Sequence, residues 1–206
     1  MVAAVLAGGK SRRMGQDKRF LDVAGRPLIR RVLDVLKDIF PQRVIVAAER
    51  EPQLEVLGVP VLTDLRPGCA TLGGLYTALQ LTEKSWVFAV ASDMPCLDLR
   101  VIELMTSLAE GSDVVVASLA TGVQPMHAVY GKACAPILER MMDAGDLKIQ
   151  NLFNHPSLHV RAVNEAELRA VDPLLHSFIN INTPADLEMA RKLLAPRTQS
   201  RVVPPR

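Results

Sequence analysis

The residues whose types could do chemistry concentrate in one run, Gly8-Gly9-Lys10-Ser11-Arg12-Arg13-Met14-Gly15-Gln16-Asp17-Lys18. Gly8 and Gly9 let a backbone approach a ligand with its N–H groups exposed, while Arg12, Arg13 and Lys18 offer cationic donors suited to phosphate oxygens. Four basic residues and three glycines within eleven positions point to a polyanionic ligand held by its phosphates. Two familiar phosphate motifs are excluded. A P-loop needs glycine where Ala4 stands, and the dinucleotide fingerprint needs glycine where Lys10 and Arg13 stand.

A second group of polar residues recurs at the ends of apolar runs. Trp86-Val87-Phe88-Ala89-Val90-Ala91 reads as a central strand that ends in Ser92-Asp93-Met94-Pro95, with Pro95 unable to continue it. Mg²⁺ is commonly held by one or two carboxylates together with substrate phosphates, so Asp93 is the candidate metal ligand. An Asp before Pro also serves often as a turn former or helix cap; its pairing with the basic loop favours the metal. Asp64, just past Val59–Leu62, is a further strand-end carboxylate in a position where a turn Asp is ordinary. Asn180 and Asn182 share one face of a short expected strand, free either to contact a polar substrate or to cap the final helix. His127, alone in an apolar strand, reads as a structural residue rather than a general base.

These residues need a frame that brings strand ends together. Short apolar runs alternate with stretches of helical periodicity, the pattern of an α/β domain: a three-layer, Rossmann-like arrangement around a mostly parallel central sheet. Strands are expected at Val2–Ala7, Val44–Ala48, Val59–Leu62, Trp86–Ala91, Val114–Ser118 and Ala128–Tyr130. Leu28, Val32, Val35, Leu36 and Ile39 lie on one face of a helix expected from Pro27 to about Phe40. Further helices are expected at about 72–82, 98–109, 133–144 and 184–194, the last with Thr183 as N-cap, Pro184 at its first position and Asp186 in its first turn. The stretch 145–177 has weak periodicity and is expected to hold short elements and loops. The basic loop and Asp93 then meet at the carboxyl edge of the sheet, where open α/β folds bind ligands.

Bulk properties agree with one nucleotide-handling domain over 1–195 and a basic, solvated tail over 196–206. The chain of 206 residues is 49% hydrophobic and 22% charged, enough apolar content to bury a core. A formal net charge of +2, with no basic block interleaved with aromatics, argues against a nucleic-acid partner. Cys69, Cys96 and Cys134 form no C-x-x-C pair, which argues against a disulfide framework and a zinc site. The apolar start through Ala7 lacks a basic leader and is too short for a membrane span, so a cytoplasmic protein without membrane attachment is expected.

The run Leu6-Ala7-Gly8-Gly9-x-Ser11-x-Arg13-Met14-Gly15-x-Asp17-Lys18 resembles the signature of the molybdenum cofactor guanylyltransferases, within the nucleoside-triphosphate transferase superfamily. Gln124-Pro125-Met126-His127-Ala128-Val129-Tyr130 and Phe178-Ile179-Asn180-Ile181-Asn182-Thr183-Pro184-Ala185-Asp186-Leu187 extend the resemblance nearly to the tail. It implies transfer of GMP from GTP to the phosphate of molybdopterin, with release of pyrophosphate. It also implies that Leu6, Ala7 and Gly8 contact the nucleotide through their backbone, that Arg13 and Lys18 engage the triphosphate, and that Asp93 holds Mg²⁺. Asp64 matches a nucleotide-side acidic residue, and Asn180 and Asn182 suit a pterin-type substrate. Passing contact with the receiving molybdoenzymes or their chaperones follows from the same resemblance.

Two departures stand out. The family's Gly-Pro-Leu-x-Gly becomes Ala70-Thr71-Leu72-Gly73-Gly74, and an Asn often found after the second strand becomes Ala47. The cytidylyltransferase of the same cofactor typically carries Leu-Ala-Ala-Gly, so Gly8 favours guanine whereas Ala47 removes an expected polar contact. A sugar-1-phosphate nucleotidyltransferase would usually be longer, and a non-catalytic binding module would have no need of both Lys18 and Asp93.

Overall fold

The computed structural model describes residues 1–8 and 17–195. Gly9 to Gln16, Arg13 among them, and the expected tail from 196 lie outside the described residues. The chain runs β1 (Val2–Leu6), β2 (Asp22–Val23), β3 (Arg26–Pro27), α1 (Leu28–Lys37), β4 (Arg43–Ala47), α2 (Pro52–Glu55), β5 (Val61–Thr63), α3 (Ala70–Leu81), β6 (Trp86–Ala91), α4 (Leu99–Ser107), β7 (Val114–Leu119), β8 (Gly122–Gly131), α5 (Ala135–Asp143), β9 (Val160–Asn164), α6 (Glu165–Val171) and α7 (Pro184–Leu194). Seven strands form one sheet in the order β5-β4-β1-β6-β8-β7-β9, with β8 antiparallel to both neighbours and the remaining pairs parallel.

Period-two alternation along the central strands feeds two apolar layers. Ala3, Val5, Phe88 and Val90 point into a cluster with Ile29, Val32 and Leu36 of α1 and with Val101, Ile102 and Met105 of α4. Val2, Ala4, Leu6, Val87 and Ala89 point the other way, onto Leu72, Leu75 and Leu79 of α3 and Ile137 and Leu138 of α5. This is the three-layer arrangement that the alternating pattern implies. α7 closes as expected: Thr183 accepts from the Asp186 N–H, and Asp186 accepts in return from the Thr183 N–H at 2.8 Å.

Several elements differ from the sequence reading, and each difference has a local cause. Helix α1 begins at Leu28, because Pro27 holds an extended ψ of 142° at the cap and pairs with Asp22 across a small hairpin. The expected strand 128–130 is the end of the much longer β8. Its register against β7 jumps from Ala128 opposite Val116 to Gln124 opposite Ala117, so Pro125, Met126 and His127 form a bulge. A bulge accommodates a proline that could not donate to a regular central ladder. The stretch 145–177 does hold short elements, including the edge strand β9, in which Val163 is the one fully buried side chain. The short expected strand at Asn180 is instead an extended segment, fixed by the Ile181 N–H donating to the Asp93 carbonyl at 2.9 Å.

Candidate active site

The carboxyl ends of β1, β4, β5 and β6 open onto a cavity of about 600 Å³, within the range of small-ligand sites. Leu6 and Gly8 line it from β1, Asp64 from the end of β5, and Asp93 from the end of β6. Gln124 and Met126 reach it from the β8 bulge, and Asn180 and Asn182 complete the wall. Residues scattered over most of the chain thus converge as the strand-end argument requires. Ala7 sits apart from that lining. Its N–H donates to the Val46 carbonyl at 2.8 Å, and its carbonyl accepts from Arg19 at 3.0 Å.

Asp93 lies in the turn that follows β6, but its side chain caps no helix. The N-cap of α4 is Asp98, which accepts from the Arg100 N–H. Lys18 Nζ donates to Asp93 Oδ2 at 2.6 Å and lies 3.4 Å from the Ile181 carbonyl, so it ties the end of the basic loop both to β6 and to the Asn180–Asn182 segment. Asp93 Oδ1 is buried and has no hydrogen-bond partner among the described residues. A buried, unpaired carboxylate oxygen is costly unless a ligand completes it, and a hard divalent cation is the group its chemistry fits. Among the described residues no cluster of three His, Cys, Asp or Glu side chains forms a ready metal cage. An ion at Asp93 would therefore complete its shell from phosphate oxygens and water.

Asn180 and Asn182 do share one face, with Ile181 between them buried against Val23 and Leu28. Neither side chain caps α7. Asn180 donates weakly to the Phe178 carbonyl at 3.3 Å, and Asn182 contributes only its backbone N–H to Asp186. Asp64 does both things its position allows: it receives the Arg66 N–H in a tight turn at 2.9 Å and it lines the cavity. His127 is fully buried between Phe88 and Phe178, with ring centroids 5.3 and 4.8 Å away. Neither ring nitrogen makes a hydrogen bond of good geometry, and burial pushes its pKa down to about 4 despite a smaller upward pull from the Ser177 backbone. It packs between the two rings away from the cavity lining, with its nitrogens unpaired among the described residues.

Arg19 gave no signal in the sequence, where it reads as one more charge after Lys18. It is 2% exposed. Its guanidinium donates to Asp17 in a fork, to Glu51 after β4, and to the Ala7 carbonyl. Burial acts to lower its pKa, but the hydrogen bonds of Asp17 and Glu51 outweigh that and keep it charged. The two stems of the basic loop, Ala7 and Asp17, are therefore joined through a single side chain.

Residues 3–161 match the family described as the MobA-like NTP transferase domain. A probable molybdenum cofactor guanylyltransferase of Pelotomaculum thermopropionicum is 38% identical over 91% of this chain and 90% of its own length. The molybdenum cofactor guanylyltransferase of Desulfosudis oleivorans is also 38% identical, over 90% and 92%. The chain belongs to this guanylyltransferase family. The solved structure of the molybdopterin-guanine dinucleotide biosynthesis protein A of Archaeoglobus fulgidus, 31% identical, superposes with a TM-score of 0.80 over 94% of this chain and 98% of that one. The guanylyltransferase chain is accordingly a nucleotidyltransferase.

Both departures from the guanylyltransferase pattern now have a location. Ala70 occupies the first glycine's place with φ +49°, so the backbone keeps the left-handed turn that the glycine would adopt without strain. Ala47 packs in the apolar layer with Ala7 and Ile29 and is 1% exposed, so it borders the cavity without offering a polar side-chain group.

Proposed function

We propose that this chain transfers GMP from GTP to the terminal phosphate of molybdopterin. A molybdopterin phosphate oxygen attacks the α-phosphorus, the bond from that phosphorus to the bridging oxygen breaks, and pyrophosphate leaves with the electron pair. The attacking phosphate is already anionic, so no strong general base is needed, in keeping with the absence of any role for His127. In this reading the cavity positions the two reactants in line, with Asn180 and Asn182 on the pterin side and Leu6, Gly8 and the Asp64 carboxylate on the nucleotide side, while Ala7, its backbone engaged by Val46 and Arg19, supports the loop instead of touching the nucleotide. Lys18 and Arg13 offset the charge that builds on the α-phosphate and the departing pyrophosphate. Mg²⁺ is the ion assigned to Asp93 and supplies charge stabilisation when bound. We read residues 1–195 as the catalytic domain, working in the cytoplasm and handing its product to a molybdoenzyme or its chaperone.

The observation that carries the reading is the 2.6 Å pairing of Lys18 with Asp93, a carboxylate that lines the cavity together with Asp64 and both asparagines. The test is pyrophosphate release and dinucleotide formation with molybdopterin, MgCl₂ and either GTP or CTP. Turnover with GTP that falls on the order of 10²- to 10³-fold in Asp93→Ala is expected. Equal or faster turnover with CTP would replace the guanylyl reading, and near wild-type activity in Asp93→Ala would remove Asp93 from the reaction.

A further inference from the structure

Asp64 is held in one orientation by a residue that the sequence gives no reason to notice. Thr77 lies on α3 and is fully buried. Its Oγ accepts from the Leu65 N–H at 2.9 Å, which leaves its own proton for Asp64 Oδ1 at 3.1 Å. A helical threonine more often donates to its own helix four residues back; here the hydroxyl is diverted to the loop. Oδ1 also receives the Arg66 N–H at 2.9 Å. Two donors therefore occupy one carboxylate oxygen, and among the described residues no donor meets the other.

Gly73 makes room for this arrangement. A Cβ there would stand 2.8 Å from Asp64 Oδ2, 2.9 Å from Oδ1 and 2.6 Å from the Arg66 carbonyl, so any side chain at 73 would push the carboxylate or its loop aside. Asp64 lines the cavity at the end of β5, three strands across the sheet from Asp93, a distance of about 14 Å. It thus borders the cavity on the side away from Asp93, the side that the proposed reading leaves for the base.

We infer that Thr77 is a positioning residue for base selection: with Gly73, it fixes Asp64 so that one acceptor oxygen faces the edge of the base. The inference rests on the guanylyl reading. Guanine presents adjacent N1–H and N2–H₂ donors, which a fixed acceptor oxygen satisfies. The equivalent edge of cytosine carries a single donor group, N4–H₂, beside the N3 and O2 acceptors, so an acceptor oxygen placed for guanine's two adjacent donors would meet N3 or O2 there. Selection by Asp64 also accounts for guanine preference in a chain whose residue 47 offers the cavity no polar side chain.

The experiment is calorimetric titration of the full chain with GTP and with CTP, each with MgCl₂, for the wild type and for Thr77→Val, Thr77→Ser and Gly73→Ala. Thr77→Val is expected to weaken GTP roughly tenfold while leaving CTP unchanged, since it removes one hydrogen bond to a partly buried charge. Thr77→Ser should restore the wild-type value, and Gly73→Ala should repeat the selective loss. Equal weakening of both nucleotides, no weakening, or no rescue by serine would overturn the role of Thr77. Wild-type preference for CTP would instead overturn the guanylyl reading, on data that do not involve the variants. Thermal midpoints for all four proteins separate a loss of fold, which lowers binding of both nucleotides together, from a loss of selection.

Discussion

Lys18 and Asp93 stand 75 residues apart in sequence and 2.6 Å apart in space, with side chains 15% and 16% exposed. The lysine ammonium occupies the side of the carboxylate opposite its unpaired oxygen, so a cation arriving at Asp93 shares that carboxylate with Lys18. Lys18→Met is therefore expected to bind Mn²⁺ several-fold more tightly in the absence of nucleotide, because a competing positive charge is gone. The same variant should lose turnover on the order of 10²-fold or more, because the triphosphate loses its cation. Titration followed by electron paramagnetic resonance reads the first effect. Unchanged or weaker Mn²⁺ binding would show that lysine and metal do not compete for Asp93.

Arg19 carries a larger share of stability than of chemistry. Its guanidinium is buried against Asp17 and Glu51, and removing the cation from such a set strips a partly buried carboxylate, Glu51, of the charge that offsets its desolvation. Arg19→Met is expected to cost about 3–5 kcal/mol, read as a lower urea midpoint with unchanged slope. Arg19→Lys keeps the charge but loses the planar fork, and an intermediate cost is expected. A loss under about 1 kcal/mol in Arg19→Met would mean that the cluster is more hydrated than its burial implies.

What the sequence made legible, and what it did not, follows from range of interaction. Strand alternation and the α7 capping box are set by neighbours within a few residues, so β1, β6 and Thr183 were readable from pattern. The meeting of Lys18 with Asp93 was readable because parallel strands deliver their carboxyl ends to one edge. The β8 bulge was not: only Ala128–Tyr130 read as strand, because nothing local shows that pairing with β7 resumes at Gln124 on the far side of Pro125. Arg19 and Thr77 were invisible for a related reason: a charged or hydroxyl residue announces nothing until the fold brings it a buried partner. The side-chain direction of residue 47 was not legible either, because it is fixed by the pairing of β4 with β1 rather than by residue type.

Ala70 offers a gain rather than a loss. Its φ of +49° lies in the left-handed region, where an L-residue costs roughly 1–2 kcal/mol and glycine almost nothing. Part of that gain is offset by the wider freedom of glycine in the unfolded chain. Ala70→Gly is expected to stabilise the protein by about 0.5–1 kcal/mol, a few degrees in thermal midpoint. A destabilised variant would mean that the Ala70 methyl makes contacts worth more than the strain.

His127 predicts an acid-sensitive stability. Its folded pKa is depressed to about 4 from the ordinary 6.5, by burial first of all, so the unfolded chain binds the proton more readily. The group's contribution is complete above about pH 6.5 and declines as the pH falls towards 4. The shift corresponds to a loss of about 3 kcal/mol across that window. Denaturation midpoints should therefore fall between pH 6.5 and pH 4 in the wild type, and the slope should flatten in His127→Leu, which keeps an apolar side chain between Phe88 and Phe178. Carboxylates such as Asp98 and Asp186, held low by hydrogen bonds to Arg100 and to the start of α7, lose their own contributions in a more acidic range. The His127 component is thus isolated as the difference between the two proteins above about pH 4.5. Parallel curves for wild type and variant would mean that the imidazole takes up its proton in the folded state without penalty, contrary to its enclosure by two aromatic rings.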